Sequence, residues 1–406
     1  MDRHEHARLD ALQRDPYPHY ARARQAEGLT FVPELDAWLV ARDADVREVL
    51  RRPEAFSSAN ALRPDVIPGP AVLAELGMGF GGRPVVVTSD GPQHQRLRAP
   101  HVHGLSPARV ASVVPYLVER ATALVESFEA SGQVELMARY ARVLPGDVIG
   151  RLIGLDPVDV PVAVHGGHRA EELLFRPMDE ADQIAAARDV VTMQQLLDTY
   201  VRARRVRPRD DLCTALLAAL STPDSGELTL EERHEFVAHL QNFLLAGHLT
   251  TTAQIGTTVL HLLRHRAQWE LLCEKPELIP AAIEEALRYD TALQGFRRIT
   301  TRPVLLSGTE LPTGAVVFVA FGSANRDARR HERPDVFDIT RQPSRHLSFG
   351  HGVHGCPGSQ LAREQLRVTV ELLTTRLPGL RLAPDVPVTM RPTMIHRSPE
   401  ALHLTW

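Results

Sequence analysis

The longest regular pattern of apolar and polar positions starts at Thr229, where Glu232 three residues on makes a capping-box signature. From there Phe236, Leu240, Phe243 and Leu244 keep helical spacing onward to Leu263. Such a helix has about 35 residues and rises roughly 50 Å at 1.5 Å per residue, so it should cross the whole molecule. Helical spacing also covers 107–127, 144–155, 156–174, 180–205 and 210–220, with a strand-like break at 134–136 and a turn at 222–226. Segment 30–40 reads as a small hairpin with Trp38-Leu39-Val40 as its strongest piece. Segment 293–320 alternates β-prone runs with Gly308, Pro312 and Gly314, as a small, mostly antiparallel sheet does, and 389–406 reads as a terminal hairpin turning at 394–396. Residues 60–84, rich in Gly and Pro and without a stable period, read as a long loop of the kind that is functional or disordered. The pattern predicts a mainly α chain with a small β-rich subregion; length alone would suggest two or three domains of roughly 100 to 200 residues each, against which one domain over 1–406 is expected.

Composition narrows the function classes. The 406 residues are 44% hydrophobic and 24% charged with a net charge of −4, an ordinary globular balance with no basic excess for nucleic acid. Cys213, Cys273 and Cys356 are far apart and form no Cys-x-x-Cys, which argues against a disulfide framework, a zinc site or an iron-sulfur cluster and fits a reducing cytoplasm. Residues 1–14 are charged and no run of 18 apolar residues occurs, so neither signal peptide nor membrane anchor is expected. Lys275 is the single lysine among 46 basic residues, a bias expected of a GC-rich, actinobacterial genome.

The chemistry concentrates in 345–364. Gly350 and Gly352 free the backbone for a tight loop ahead of Cys356, and Pro357 suits the first position of a helix. A cysteine at a helix N-terminus has its thiolate favoured, and a soft anionic ligand on a glycine-built loop suits a metal centre such as a heme iron. A structural cysteine beside a glycine turn is the alternative. On α-helical spacing His94 and Arg98 share a face and can meet one anion or simply be solvated. Within the long helix, Ala246 and Thr250 share a face where small side chains would let a flat cofactor approach, while Thr250 could equally bond its preceding turn.

Residues 349–358 match F-G-x-G-x-H-x-C-x-G at every fixed position, and in this the chain resembles the cytochrome P-450 family, as a bacterial, soluble member. The resemblance extends from Asp15 to Trp406. It implies heme b with Cys356 as axial ligand, Phe349 and Gly350 in the heme loop, and His94, Arg98, Arg298 and His346 on the propionates. Ala246-Gly247-His248-Leu249-Thr250 matches the family's oxygen-activating motif except that Leu249 replaces the usual acid. Glu285 and Arg288 match its structural E-x-x-R, with Arg341 completing that network. Leu249, Leu293, Gln294, Phe296 and Ile395 should line the substrate pocket, with 60–84 covering it and Phe175-Arg176-Pro177-Met178 joining two lid helices.

The implied function is a monooxygenase that activates dioxygen to oxidise a small organic molecule, as a tailoring step in bacterial secondary metabolism. Catalysis would rest on Thr250 with Ala246, Gly247 and His248. No flavin or iron-sulfur segment is expected, so electrons would come from a separate ferredoxin and ferredoxin reductase, serving a cytoplasmic monomer. The alternatives are heme-thiolate chemistry without hydroxylation, such as ring closure, aryl coupling or nitration, an inert recruitment module, and a gas sensor.

Overall fold

Thr229 and Glu232 cap one another as their spacing requires. The amide of Thr229 donates to Glu232 Oε2 at 2.8 Å and the amide of Glu232 to Thr229 Oγ1 at 3.2 Å, satisfying two of the donors a helix start leaves without intrahelical acceptors. The helix that follows runs 35 residues, from Leu230 to Arg264. The computed structural model describes residues 3–65, 67–221 and 226–406. The turn expected at 222–226 lies outside the described residues except for Gly226.

In chain order the described α-helices are α1 (Arg3–Arg14), α2 (Tyr17–Gln25), α3 (Asp43–Arg51), α4 (Pro70–Leu76), α5 (Gly91–Gly104), α6 (Pro107–Glu126), α7 (Leu144–Ile153), α8 (Val160–Phe175), α9 (Glu180–Val206), α10 (Leu212–Leu220), α11 (Leu230–Arg264), α12 (Arg266–Glu274), α13 (Ile279–Tyr289), α14 (Phe321–Ala324) and α15 (Ser359–Arg376). The strands are β1 (Thr30–Val32), β2 (Ala37–Val40), β3 (Phe56–Ser57), β4 (Gln133–Glu135), β5 (Gly295–Thr300), β6 (Val304–Leu306), β7 (Thr309–Leu311), β8 (Val316–Ala320), β9 (Arg381–Leu382) and β10 (His403–Thr405). Among the described residues no helix is long and apolar enough to cross a membrane.

The chain divides into two compact units. The first, of residues 1–62, 117–142 and 250–406, holds a five-stranded sheet in the order β1-β2-β8-β5-β3. The expected 30–40 hairpin forms its edge, with Phe31 opposite Trp38, and only β2 against β8 is parallel. Val40, Val317 and Val319 of this sheet pack with Val46, Val49 and Leu50 of α3 and with Leu347 in a fully apolar core. The terminal segment departs from the simple hairpin. Met390 and Pro399 form a single bridge, whereas β10 pairs with β4 and β9, because Val134 and Leu404, each nearly inaccessible, bury against one another's strands.

The second unit, of residues 63–116 and 143–249, is helical and includes α8, α9 and the first part of α11. Asp179 caps α9 by accepting the Asp182 amide at 2.8 Å, which fixes the connection between α8 and α9 where the sequence placed it. Residues 60–84 are not all loop, since α4 forms within them. Seven residues with Val72 as the buried one carry no readable period, and Pro70 after Gly69 is the local start signal. Partners on α9 hold this segment: Glu75 pairs with Arg188 at 3.2 Å and Gln194 Oε1 accepts the Phe80 amide at 2.8 Å.

Candidate active site

The cysteine loop is shaped by its glycines. Gly350 and Gly352 have φ of +69° and +70°, in the left-handed region, and a Cβ on Gly352 would stand 2.5 Å from the Leu50 carbonyl oxygen. The turn is closed by the Gly350 amide donating to Leu347 O at 2.9 Å and the Cys356 amide to Phe349 O at 2.8 Å. Helix α15 begins at Ser359 with Gly358 as its cap, so Cys356 precedes the helix instead of opening it. Pro357 and Gly358 form a turn of their own, and the Cys356 amide that a helix start would leave free is given to Phe349. Of the three described cysteines, Cys213 is buried, Cys273 is half-buried and Cys356 is exposed.

A buried ionic network braces the segment ahead of this loop. Arg288 donates to Glu285 through Nε at 2.7 Å and Nη2 at 2.8 Å, and through Nη1 to the carbonyls of Asn325 and Pro334 at 3.0 and 2.8 Å. Arg341 Nε stands 3.2 Å from Glu285 Oε2, completing the expected triad. Asn325 then accepts the Leu347 amide at 2.6 Å and donates to Ser348 Oγ at 2.9 Å. On the loop itself, His354 Nε2 and Ser58 Oγ are 2.8 Å apart. His354 was given no role from sequence, although it is a fixed position of the loop pattern.

The Nε2 of His346 lies 3.2 Å from Glu284 Oε2 and its Nδ1 accepts the Ser348 amide at 3.3 Å, so within the protein the imidazole is oriented by a carboxylate on one side and a backbone amide on the other. Arg363 pairs with the same Glu284 at 2.6 Å while stacking 4.5 Å from the Phe349 ring centroid. Burial opposes ionisation of Glu284, yet His346 and Arg363 outweigh it and hold the carboxyl down at about 2. Sequence reading missed this because Glu284, His346 and Arg363 meet only in space.

The other anion-binding candidates sit as follows. On α5, His94 is buried and Arg98 half-buried on one helix face, and burial first and Arg98 second depress the His94 pKa. Arg298 on β5 is buried, donates to Arg297 O at 2.8 Å, and lies 6.0 Å from the Phe296 ring centroid.

The middle of α11 separates its motif residues by face. Ala246 is exposed and Thr250 half-buried. A Cβ on Gly247 would come within 2.8 Å of Ile149, so that glycine admits α7. His248 is fully buried with its ring 4.6 Å from that of His168 on α8, and Leu249 is buried as well. His248 therefore stands across the helix from Thr250, since two positions of 100° separate their directions. Among the pocket residues Leu293 and Phe296 keep partial exposure. Gln294 does not, because its amide donates to Thr291 O at 2.7 Å and packs against Gly322; Ile395 is likewise buried, its carbonyl accepting the Gln294 amide at 2.9 Å.

The donor set fits heme: an exposed thiol on a loop whose backbone is fixed by its own hydrogen bonds, and in Arg298 a buried guanidinium suited to a carboxylate. The known proteins agree. The cytochrome P450 family model matches residues 174–385. Cytochrome P450 107B1 of Saccharopolyspora erythraea is 35% identical over 92% of this chain and 90% of that protein. Nocardicin C N-oxygenase of Nocardia uniformis is 35% identical over 98% of this chain and 97% of that protein. The solved structure of cytochrome P450 CREJ in complex with (4-ethylphenyl) dihydrogen phosphate superposes with a TM-score of 0.90 at 30% identity, covering 97% of this chain and 98% of that one. The chain belongs to the cytochrome P450 family. It is a monooxygenase that uses heme b and acts on small molecules with electrons from redox partners.

Proposed function

We propose that Cys356 is the thiolate ligand of the heme iron and that the enzyme oxidises a small secondary metabolite, as a cytoplasmic monomer whose whole chain serves one heme domain. The exposed Cys356 on its self-closed loop carries this reading. When bound, heme supplies the redox chemistry that activates dioxygen. The chain's own part is to hold the sulfur at a fixed backbone position, bind the heme carboxylates, and bring protons to the Thr250 hydroxyl. The secondary-metabolite class is supported by the relative that oxygenates nocardicin C. A spin-state screen of candidate metabolites tests it, and oxidation only of primary metabolites such as fatty acids would refute it.

His94, Arg98, Arg298 and His346 are the propionate contacts in this reading. A charge-assisted bond is worth about 1.5 to 3 kcal/mol, so Arg98→Ala and Arg298→Ala should each transfer heme to apomyoglobin roughly ten to a hundred times faster than the parent. Parental transfer rates in both variants would remove these assignments.

For the electron donor, a separate ferredoxin with its reductase, the supporting feature is charge. Arg47 donates to Arg345 O at 2.8 Å. Arg51 and Arg345 are exposed, and after burial the charges of Arg47 and Arg51 are the leading causes that lower the His351 pKa. Val353, 47% exposed on the cysteine loop, adds an apolar point of contact. An acidic ferredoxin suits this surface. The pair Arg51→Glu and Arg345→Glu should raise the KM for ferredoxin about tenfold, a loss of about 1.4 kcal/mol, and flatten its salt dependence while leaving the heme spectrum unchanged. Unchanged KM and salt dependence would place the partner elsewhere.

A further inference from the structure

Leu249 can neither hold nor pass a proton, and His248 faces away from Thr250, so the motif itself offers no route for the protons that monooxygenation consumes. Another part of the same helix offers one. His239 on α11 is inaccessible to solvent, and neither of its ring nitrogens has a hydrogen-bond partner. Fully buried polar groups without partners are uncommon in folded proteins and call for an explanation such as an ordered water or a catalytic role. The His101 ring, stacked at 3.9 Å on Phe243, lies 5.8 Å from that of His239 and has an unpartnered, buried Nε2 as well. Burial holds His101 down at about 3, with His239 adding to the effect, and its Nδ1–H donates to Leu97 O at 2.8 Å, so its Nε2 is an uncharged acceptor and not a counter-ion. Next to this pair, Glu235 Oε1 is 3.8 Å from His239 Nε2, an ion-pair separation that exceeds a direct hydrogen bond. Glu235 also pairs with Arg96 and keeps 30% of its side chain exposed, so it touches solvent while facing the buried imidazole.

These residues do not sit at random on α11. Glu235, His239, Asn242, Ala246 and Thr250 follow one another at spacings of four, three, four and four, a single stripe along the helix. Asn242 is half-buried and Ala246 exposed, while Leu244 and His248 on the opposite face are packed and buried Leu249, three residues from Ala246, forms an apolar border of the stripe beside Thr250. His239 and Thr250 are eleven residues apart, about 16 Å at 1.5 Å per residue, a gap that a short file of waters spans.

We propose that Glu235 and His239 form a proton inlet along α11, passing protons from solvent to water beside Asn242 and Ala246 and on to the Thr250 hydroxyl. In each transfer the Glu235 carboxylate takes a proton from solvent and gives it to one ring nitrogen of His239, whose other nitrogen releases one to the water file. The ring ends with the proton count it began with, and Thr250 hands on one proton as it accepts another. Two protons per turnover join the two electrons from the redox partner in reducing one oxygen atom to water. The inlet rests on the monooxygenase reading of Thr250, whereas the ring chemistry of His239 does not.

The first measurement needs no turnover: exchange of the His239 ring N–H with solvent, followed by nitrogen-15 NMR on the intact holoprotein. An inlet gives exchange at least tenfold faster in the parent than in Glu235→Gln, at unchanged melting temperature. The second uses His239→Leu, which replaces an unpartnered buried ring by an apolar side chain and should hold or raise the melting temperature. During substrate-free oxygen reduction driven by ferredoxin, this variant should release at least threefold more hydrogen peroxide per electron pair, because oxygen reduced to water needs four protons and peroxide two. Ring exchange indifferent to Glu235→Gln, or a peroxide yield unmoved in a stably folded His239→Leu, would overturn the inlet. Protein that binds no heme would instead sink the monooxygenase reading, and the exchange measurement would still be readable.

Discussion

Reduced Cys356→Ala protein under carbon monoxide should lack the red-shifted Soret band of thiolate ligation and should turn over no substrate. Nothing else described in the chain can take the sulfur's place. Burial, then Asp211, pushes the Cys213 thiol up to about 12, and burial raises Cys273 as well, so neither supplies a thiolate near neutral pH. The substitution should leave the loop folded, because the bonds closing it run from the Cys356 amide to Phe349 O and from the Gly350 amide to Leu347 O, and the sulfur takes part in neither. Circular dichroism unchanged together with the lost band would isolate the effect at the ligand. A retained band would mean that another residue binds the iron.

The second large effect is structural. Arg288 and Glu285 are each only 2% exposed, and Arg288 also serves two carbonyls of the chain leading into the cysteine loop. Removing one partner of a buried pair costs about 3 to 5 kcal/mol when the other charge is left uncompensated. Arg288→Leu leaves Glu285 with Arg341 alone and two carbonyls without their donor, so it should lower the unfolding free energy by about 3 kcal/mol, the low end of that range. The double variant Glu285→Leu with Arg288→Leu should recover part of it, since the stranded carboxylate is gone. A single variant within about 1 kcal/mol of the parent would show that the loop does not depend on this brace.

Much of the site was legible because its chemistry is local in sequence. The capping box of α11 and the Glu285 to Arg288 spacing each place their residues within one turn of helix, where spacing translates directly into geometry, and the heme loop is one uninterrupted stretch from Phe349 to Gly358. Helix α4 was not legible: seven residues with a single buried position have no period, and α9 stabilises it through Glu75 and Arg188. The helix expected to open at Pro357 starts at Ser359 because the Cys356 amide found a partner seven residues back, a long-range bond that no local propensity records.

From residue order alone came the mainly α class, the long central helix and the cysteine loop, set by periodicity, turn chemistry and side-chain identity over short stretches, whereas the missing acid at Leu249 showed only through the family resemblance. Tertiary structure decided which way those side chains point. It gave His346 to Glu284, turned His248 toward His168, withdrew Gln294 and Ile395 from the surface, and put Ile149 against Gly247. It also buried His239 without a partner beside Glu235. Such outcomes depend on which carboxylate, ring or methyl arrives from a distant segment, and competition for a buried partner is settled by packing between elements that sequence spacing does not encode.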